Sequence, residues 1–141
     1  MKNKNFLASV LFTFLSQTPF TFRYSMAGGC SSISLKSGIN EVIIEISEKR
    51  LGVTAVTENS RIVGIITDGD IRRMLEQHTS IQDLKALDIY HKAPITIDPN
   101  ELAVNALALM EQKDISQIIV AEESNYVGMI HMHDLMREGI L

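Results

Sequence analysis

The sequence predicts an α/β fold of two β-α-β-β-α units related by a pseudo-two-fold axis, each a small mixed sheet flanked by helices. Three observations carry this. The chain matches itself at an offset of 64 positions, apolar stripes of helical period stand at corresponding places in both copies, and each stripe is followed by two short β-rich runs. The 141 residues suffice for one ordinary domain or two very small ones sharing a core, and not for an enzyme domain plus a regulator.

At that offset Ile33 meets Ile97, Lys49 meets Lys113, Val56 meets Val120, Val63 meets Val127 and Gly64 meets Gly128; Ile66 meets Ile130, Asp70 meets Asp134 and Arg73 meets Arg137. No gap is needed between residues 31 and 73, so one unit is used twice, and two copies suit a pair closing on itself better than a solenoid. The boundaries expected are 1–30 for an apolar N-terminal segment outside the core, 31–77 for the first unit, 78–94 for a linker and 95–141 for the second unit.

Each unit opens with a strand, seen best in PITID. A helix over 37 to 50 follows from Ile39, Val42, Ile43 and Ile46 at i, i+3, i+4 and i+7, and one over 101 to 113 from Ala103, Ala106, Leu107 and Met110. Ser37 is the expected N-cap of the first, and Asp98, ahead of Pro99 at the first helical position, that of the second. GVTAVTENSRIVGIIT and ISQIIVAEESNYVGMIH read as hairpins with polar turns, ENSR and EESN. DGDIRRMLEQ and MHDLMREG close the units as short helices. The expected core includes Ile43, Ile46, Ile66, Leu107, Met110 and Ile130, and in the linker Leu84, Leu87 and Tyr90 are expected to pack.

A formal charge of −4 with no basic block argues against a nucleic-acid partner. Cys30, the single cysteine, cannot form an intramolecular disulfide, has no neighbour in sequence placed to activate it, and leaves a body that fits a reducing compartment. MKNKN followed by the apolar run FLASVLFTFL (6–15) has the form of a signal peptide and is too short to span a bilayer, so export stands as the alternative to a cytoplasmic location. The competing reading of residues 1–30 is a non-native start, as in a truncated or split reading frame.

The order of elements, with LGVTAV…VGIITDGDIRR in the first copy and VGMIHMHDLMREGIL in the second, resembles a tandem pair of CBS domains. More narrowly it is similar, over about residues 33–141, to the C-terminal CBS pair of bacterial D-arabinose-5-phosphate isomerases of the capsule-expression and sorbitol-operon type. Two departures stand out: nothing here matches that family's sugar-isomerase domain, and residues 1–30 replace the segment that usually opens the first copy. The resemblance implies a non-catalytic regulatory module without a cofactor. It would sense an adenine nucleotide or cytidine-linked Kdo, belong to lipopolysaccharide or capsule biosynthesis, form a homodimer, and work beside a separate isomerase domain. An enzymatic reading would rest on GGCSSIS (28–34) as a phosphate-cradling loop; seven residues with no general base nearby in sequence do not make an active site.

The candidate site residues lie where each hairpin runs into its closing helix. A helix beginning near Asp68 directs free N–H groups at a phosphate, Gly69 permits close approach to the backbone, and Asp70 offers a bidentate acceptor for ribose hydroxyls. The resemblance places Thr67 near phosphate and Asp70 on ribose; the local alternative is that Thr67 and Asp70 form a capping box and nothing more. Arg72 and Arg73 either meet the phosphate or cover the helix. In the second copy His131 replaces Thr67 and His133 replaces Gly69, so the site around Asp134 is not equivalent to the first and should respond to pH between about 6 and 8. His131, His133 and Asp134 with a fourth ligand from His78 or His91 are the residues a metal-binding alternative would use. Thr96 is either an additional contact at the second pocket or an ordinary strand residue.

Overall fold

The structure, a computed structural model, describes residues 31–137 and 139. The expectations for residues 1–30, Cys30 included, lie outside the described residues. Among these described residues seven strands and five helices follow in order: β1 (Ser32–Ser34), α1 (Ile39–Lys49), β2 (Val53–Glu58), β3 (Arg61–Thr67), α2 (Asp68–Gln77), α3 (Ala86–Ile89), β4 (His91–Lys92), β5 (Thr96–Ile97), α4 (Ala103–Lys113), β6 (Gln117–Glu122), β7 (Asn125–His131) and α5 (Met132–Arg137). The repeat expected from sequence is therefore formed, including an opening strand in the first unit.

Pairing repeats with the sequence. β1 lies parallel to β2 with Ile33 opposite Val56, and β5 parallel to β6 with Ile97 opposite Val120. Each hairpin is antiparallel and carries a register shift at the corresponding place, between Val56 and Thr57 and between Val120 and Ala121. The turns are tighter than the four polar residues implied, because the outer two of each four join the ladder. Asn59 and Ser60 (φ 50° and 65°), like Glu123 and Ser124 (φ 48° and 74°), are left-handed pairs of the kind that matches strand twist in a two-residue turn. The two small sheets are also not separate: β3 and β7 meet through Arg61 and Asn125, giving one path β1-β2-β3-β7-β6-β5 with β4 added to β3. Backbone bonds from Ile62 N–H to the Ser124 carbonyl and from Tyr126 N–H to the Ser60 carbonyl clasp the two turns together.

Three apolar clusters follow. Ile33, Val42, Ile46, Val56, Ile66 and Ala86 fill the first unit, and Ile97, Ala106, Leu107, Met110, Ile118 and Ile130 belong to the core of the second. A third, of Val53, Ala55, Ile119 and Met129, takes residues from both. Of the expected core, Ile46, Ile66, Leu107, Met110 and Ile130 are buried, whereas Ile43 is only partly so, since the α1 stripe is centred on Ile39, Val42 and Ile46.

Both proposed caps are corrected. The N-cap of α1 is Gly38 and that of α4 is Leu102, neither with a side-chain bond. The Ser37 carbonyl accepts the Ala86 N–H, so Ser37 is tied to the linker, and the cap falls to Gly38, whose carbonyl accepts the Val42 N–H while the residue also bridges to Lys85. Asp98 Oδ1 accepts the Asn100 N–H, forming a local turn that delays the helix to Ala103. In the linker Tyr90 packs on the first core and Leu84 is half-buried, but Leu87 is 50% exposed because Ala86 and Ile89 face inward from α3.

Candidate ligand-binding site

In the first unit, β3 passes directly into α2 at Thr67, and the capping box is fully formed. The Thr67 hydroxyl accepts the Asp70 N–H at 3.3 Å, while Asp70 Oδ2 accepts the Thr67 N–H at 2.8 Å and the Thr67 hydroxyl at 2.7 Å. Asp70 Oδ1 accepts from the Arg73 guanidinium and, at 2.5 Å, from His91 Nε2. Asp70 is thus 4% exposed with both oxygens occupied. Burial alone would raise its carboxyl; the Thr67 backbone and hydroxyl bonds, with His91 and Arg73, outweigh this and hold it below the ordinary aspartate range. Asp68 N–H is bonded to the Gly52 carbonyl, and a Cβ added at Gly69 would meet the Arg73 guanidinium and Thr67 hydroxyl at 3.5 Å, an ordinary contact distance. Arg73 therefore goes to Asp70, not to solvent alone.

The second unit builds the same turn differently. Asp134 Oδ2 accepts the His131 N–H at 3.0 Å, and the His131 ring takes over the threonine's task, Nδ1 accepting the His133 N–H at 3.0 Å. The two imidazoles lie 4.7 Å apart at 54°. Asp134 Oδ1 has no hydrogen bond among the described residues. Around this turn opens a cleft of about 370 Å³ lined by Lys49, Arg50, Leu51, His131, His133, Asp134 and Arg137. Lys49 ends α1 and Arg50 is the left-handed residue (φ 54°) that turns the chain towards β2, so the C-terminus of the first unit's helix delivers two cations to the second unit's turn. His131 is pushed below the ordinary imidazole range by burial first and by the neighbouring His133 second, against the pull of Asp134.

Thr96 is not brought to this cleft. It pairs with Ile119, which faces Met129, two residues before His131, and β6 stands between β5 and β7; Thr96 instead lines a second depression of about 400 Å³ with Ile62, Pro94, Asp98, Ala121, Glu123 and Ser124. Among the described residues no group of three His, Cys, Asp or Glu side chains is placed to hold a metal ion. The geometry shows why: His131 Nδ1 is spent on a backbone N–H, and His91 is drawn to Asp70 in the other unit.

The profile of the CBS domain matches residues 31–77 and 86–140. The chain belongs to the CBS-domain family. Among curated relatives it is 37% identical over 111 residues to the arabinose 5-phosphate isomerase KdsD of Yersinia pestis, covering 78% of this chain and 34% of that one. It is 35% identical over 106 residues to KdsD of Escherichia coli K12, covering 74% and 32%. The CBS pair therefore spans about a third of the length of these relatives. Among solved structures, a CBS domain of a membrane protein from Sphaerobacter thermophilus superposes with a TM-score of 0.78 at 16% identity, covering 95% of each chain. An AMP complex of a CBS domain protein from Pyrobaculum aerophilum superposes with 0.67 at 25% identity, covering 75% of this chain and 82% of that one. No helix among the described residues of this CBS pair is long and apolar enough to cross a membrane.

Sequence reasoning placed Arg73 near the first site, but it did not bring Lys49, Arg50 and Arg137 to the second cleft or His91 to Asp70 in this CBS pair. Arg73 and Arg137 were visible as a repeated arginine, and Lys49 as a repeated lysine, but an offset alone does not say that Lys49, Arg50 and Arg137 face one cleft. His91 stood out in the sequence only as a possible metal ligand, and its approach to Asp70 had no signal, since it is made by β4 lying against β3.

Proposed function

We propose that this CBS pair is a non-catalytic regulatory module that binds an adenine nucleotide in the cleft around Asp134, and that it serves an arabinose 5-phosphate isomerase. The observation that carries the reading is the chemistry of that cleft: among the described residues, Lys49, Arg50 and Arg137 surround His131, His133 and one carboxylate, Asp134, whose Oδ1 has no donor. Cations at that density suit the phosphate, and Asp134 Oδ1 suits the paired hydroxyls of ribose. Two similar CBS structures were obtained with AMP and with ATP, the latter from a CNNM/CorC magnesium transporter, which supports a nucleotide as the ligand class. The KdsD relatives support the isomerase context; a cytoplasmic setting and a role in Kdo biosynthesis are part of the same proposal.

Calorimetry with AMP, ATP and cytidine-linked Kdo tests this. An adenine nucleotide should bind, and Asp134→Ala should weaken it by about 1.5–3 kcal/mol, roughly tenfold to a hundredfold. Binding of cytidine-linked Kdo alone would reassign the ligand, and binding of none would end the reading. Ile44 on α1 and Val104 on α4, at 55% and 38% exposure, leave apolar helix surface that a homodimer would cover. Light scattering at tens of micromolar should show the dimer.

A further inference from the structure

The two acids that the repeat makes equivalent are not equivalent in chemistry. Asp70 has four donors, two of them cationic or able to become so, whereas among the described residues Asp134 has one backbone donor, on Oδ2, and its Oδ1 faces an open cleft with no donor. The donors on Asp70 also come from different places: Thr67 and Arg73 belong to its own turn and helix, but His91 belongs to β4, in the segment joining the two units. The Arg73 and His91 side chains are 58% and 60% exposed over a carboxylate that is 3% exposed, so they form a cover on its outer side. With both donors in place Oδ1 has no lone pair left, so a ribose hydroxyl could reach it only by displacing one or both. A ribose hydroxyl would donate to the same carboxylate without a charge of its own, so it competes poorly with the Arg73 guanidinium, whose bond to Oδ1 carries charge on both partners.

We infer that His91 and Arg73 withhold Asp70 from ligand, so that the segment joining the units keeps the first site shut and each chain takes one nucleotide, at Asp134. This rests on the nucleotide reading above and specifies which of the two sites is used. It also explains why β4 exists: its pairing of His91 with Ile65 and Lys92 with Gly64 is what carries the imidazole to Asp70.

Titration calorimetry with AMP and ATP should return one equivalent per chain in the wild type. In the Arg73→Ala/His91→Ala double variant, which changes two side chains that are more than half exposed, a second and weaker equivalent should appear. Adding Asp70→Asn to that variant should remove it again. Two equivalents in the wild type, or one in the double variant, overturns the inference. Should no nucleotide bind to any form, the functional reading falls separately, and the cover is then read directly by NMR. Through-space contacts between the His91 ring protons and the Asp70 β-protons are expected in the free protein, and their absence overturns it.

Discussion

Asp70 shows how one residue can serve stability where the motif alone reads as binding. Its carboxylate closes the α2 cap and holds Arg73 and His91, so Asp70→Ala should cost about 1–3 kcal/mol, measured by denaturant unfolding. The pH dependence follows from the depressed folded value. Its contribution is fully present above the unfolded carboxyl value of about 3.9 and is lost as pH falls through the lower folded value, so wild type should lose melting temperature below about pH 4 more steeply than Asp70→Asn. His131 moves the other way in charge but not in sign. Because burial disfavours the charged ring in the fold, the unfolded chain binds the proton first, and stability is lost as pH falls from about 6.5 towards the lower folded value. The pH response of the second cleft through this ring is accordingly displaced towards lower pH than the residue type implies. Sequence showed that Thr67 and Asp70 were spaced for a cap and for a ligand; only the fold brings His91 to Asp70, the contact on which the inferred cover of the first site rests.

The helices were legible where burial has a period and not where contacts come from elsewhere in the chain. Val42, Ile46, Ala106 and Met110 stand out because one face of α1 and one of α4 meet the sheet, and truncating the fully buried Met110 to Ala should cost about 2–5 kcal/mol by chemical denaturation. The starts of the same helices were misread, since the backbone at Ser37 and Gly38 is engaged by the linker and that at Asp98 by its own turn. α3 and β4 are too short, at four and two residues, to show any period. What fixes them is Gly64. A Cβ there would stand 2.3 Å from Tyr90 Cδ2 and 2.4 Å from the His91 carbonyl oxygen, so Gly64→Ala must push β4 off β3. The expected outcome is a loss of about 1–3 kcal/mol, with faster amide exchange confined to residues 86–92.

At the scale of the whole molecule, the third apolar cluster and the clasped turns make the two units one folding body. Val53 and Ala55 of the first lie against Ile119 and Met129 of the second, so neither can unfold without exposing part of the other. Calorimetry should therefore show one transition whose van 't Hoff and calorimetric enthalpies agree, and Ile119→Ala should lower it as a whole without splitting it. The repeat predicted two matching units; that they share an interior was not written in any periodicity, because Ile119 and Val53 look like ordinary strand residues until the turns meet. The attachment of β4 has a final effect on how the molecule assembles. With His91 and Lys92 fastened to the first unit, only Ala93, Pro94 and Ile95 remain before β5, a tether spanning at most roughly 14 Å. So short a tether always delivers the second unit to the first unit of its own chain. Exchange of units between molecules would require β4 to be stripped from β3 first, and the internal pairing is therefore indifferent to dilution even where the association of whole chains is not.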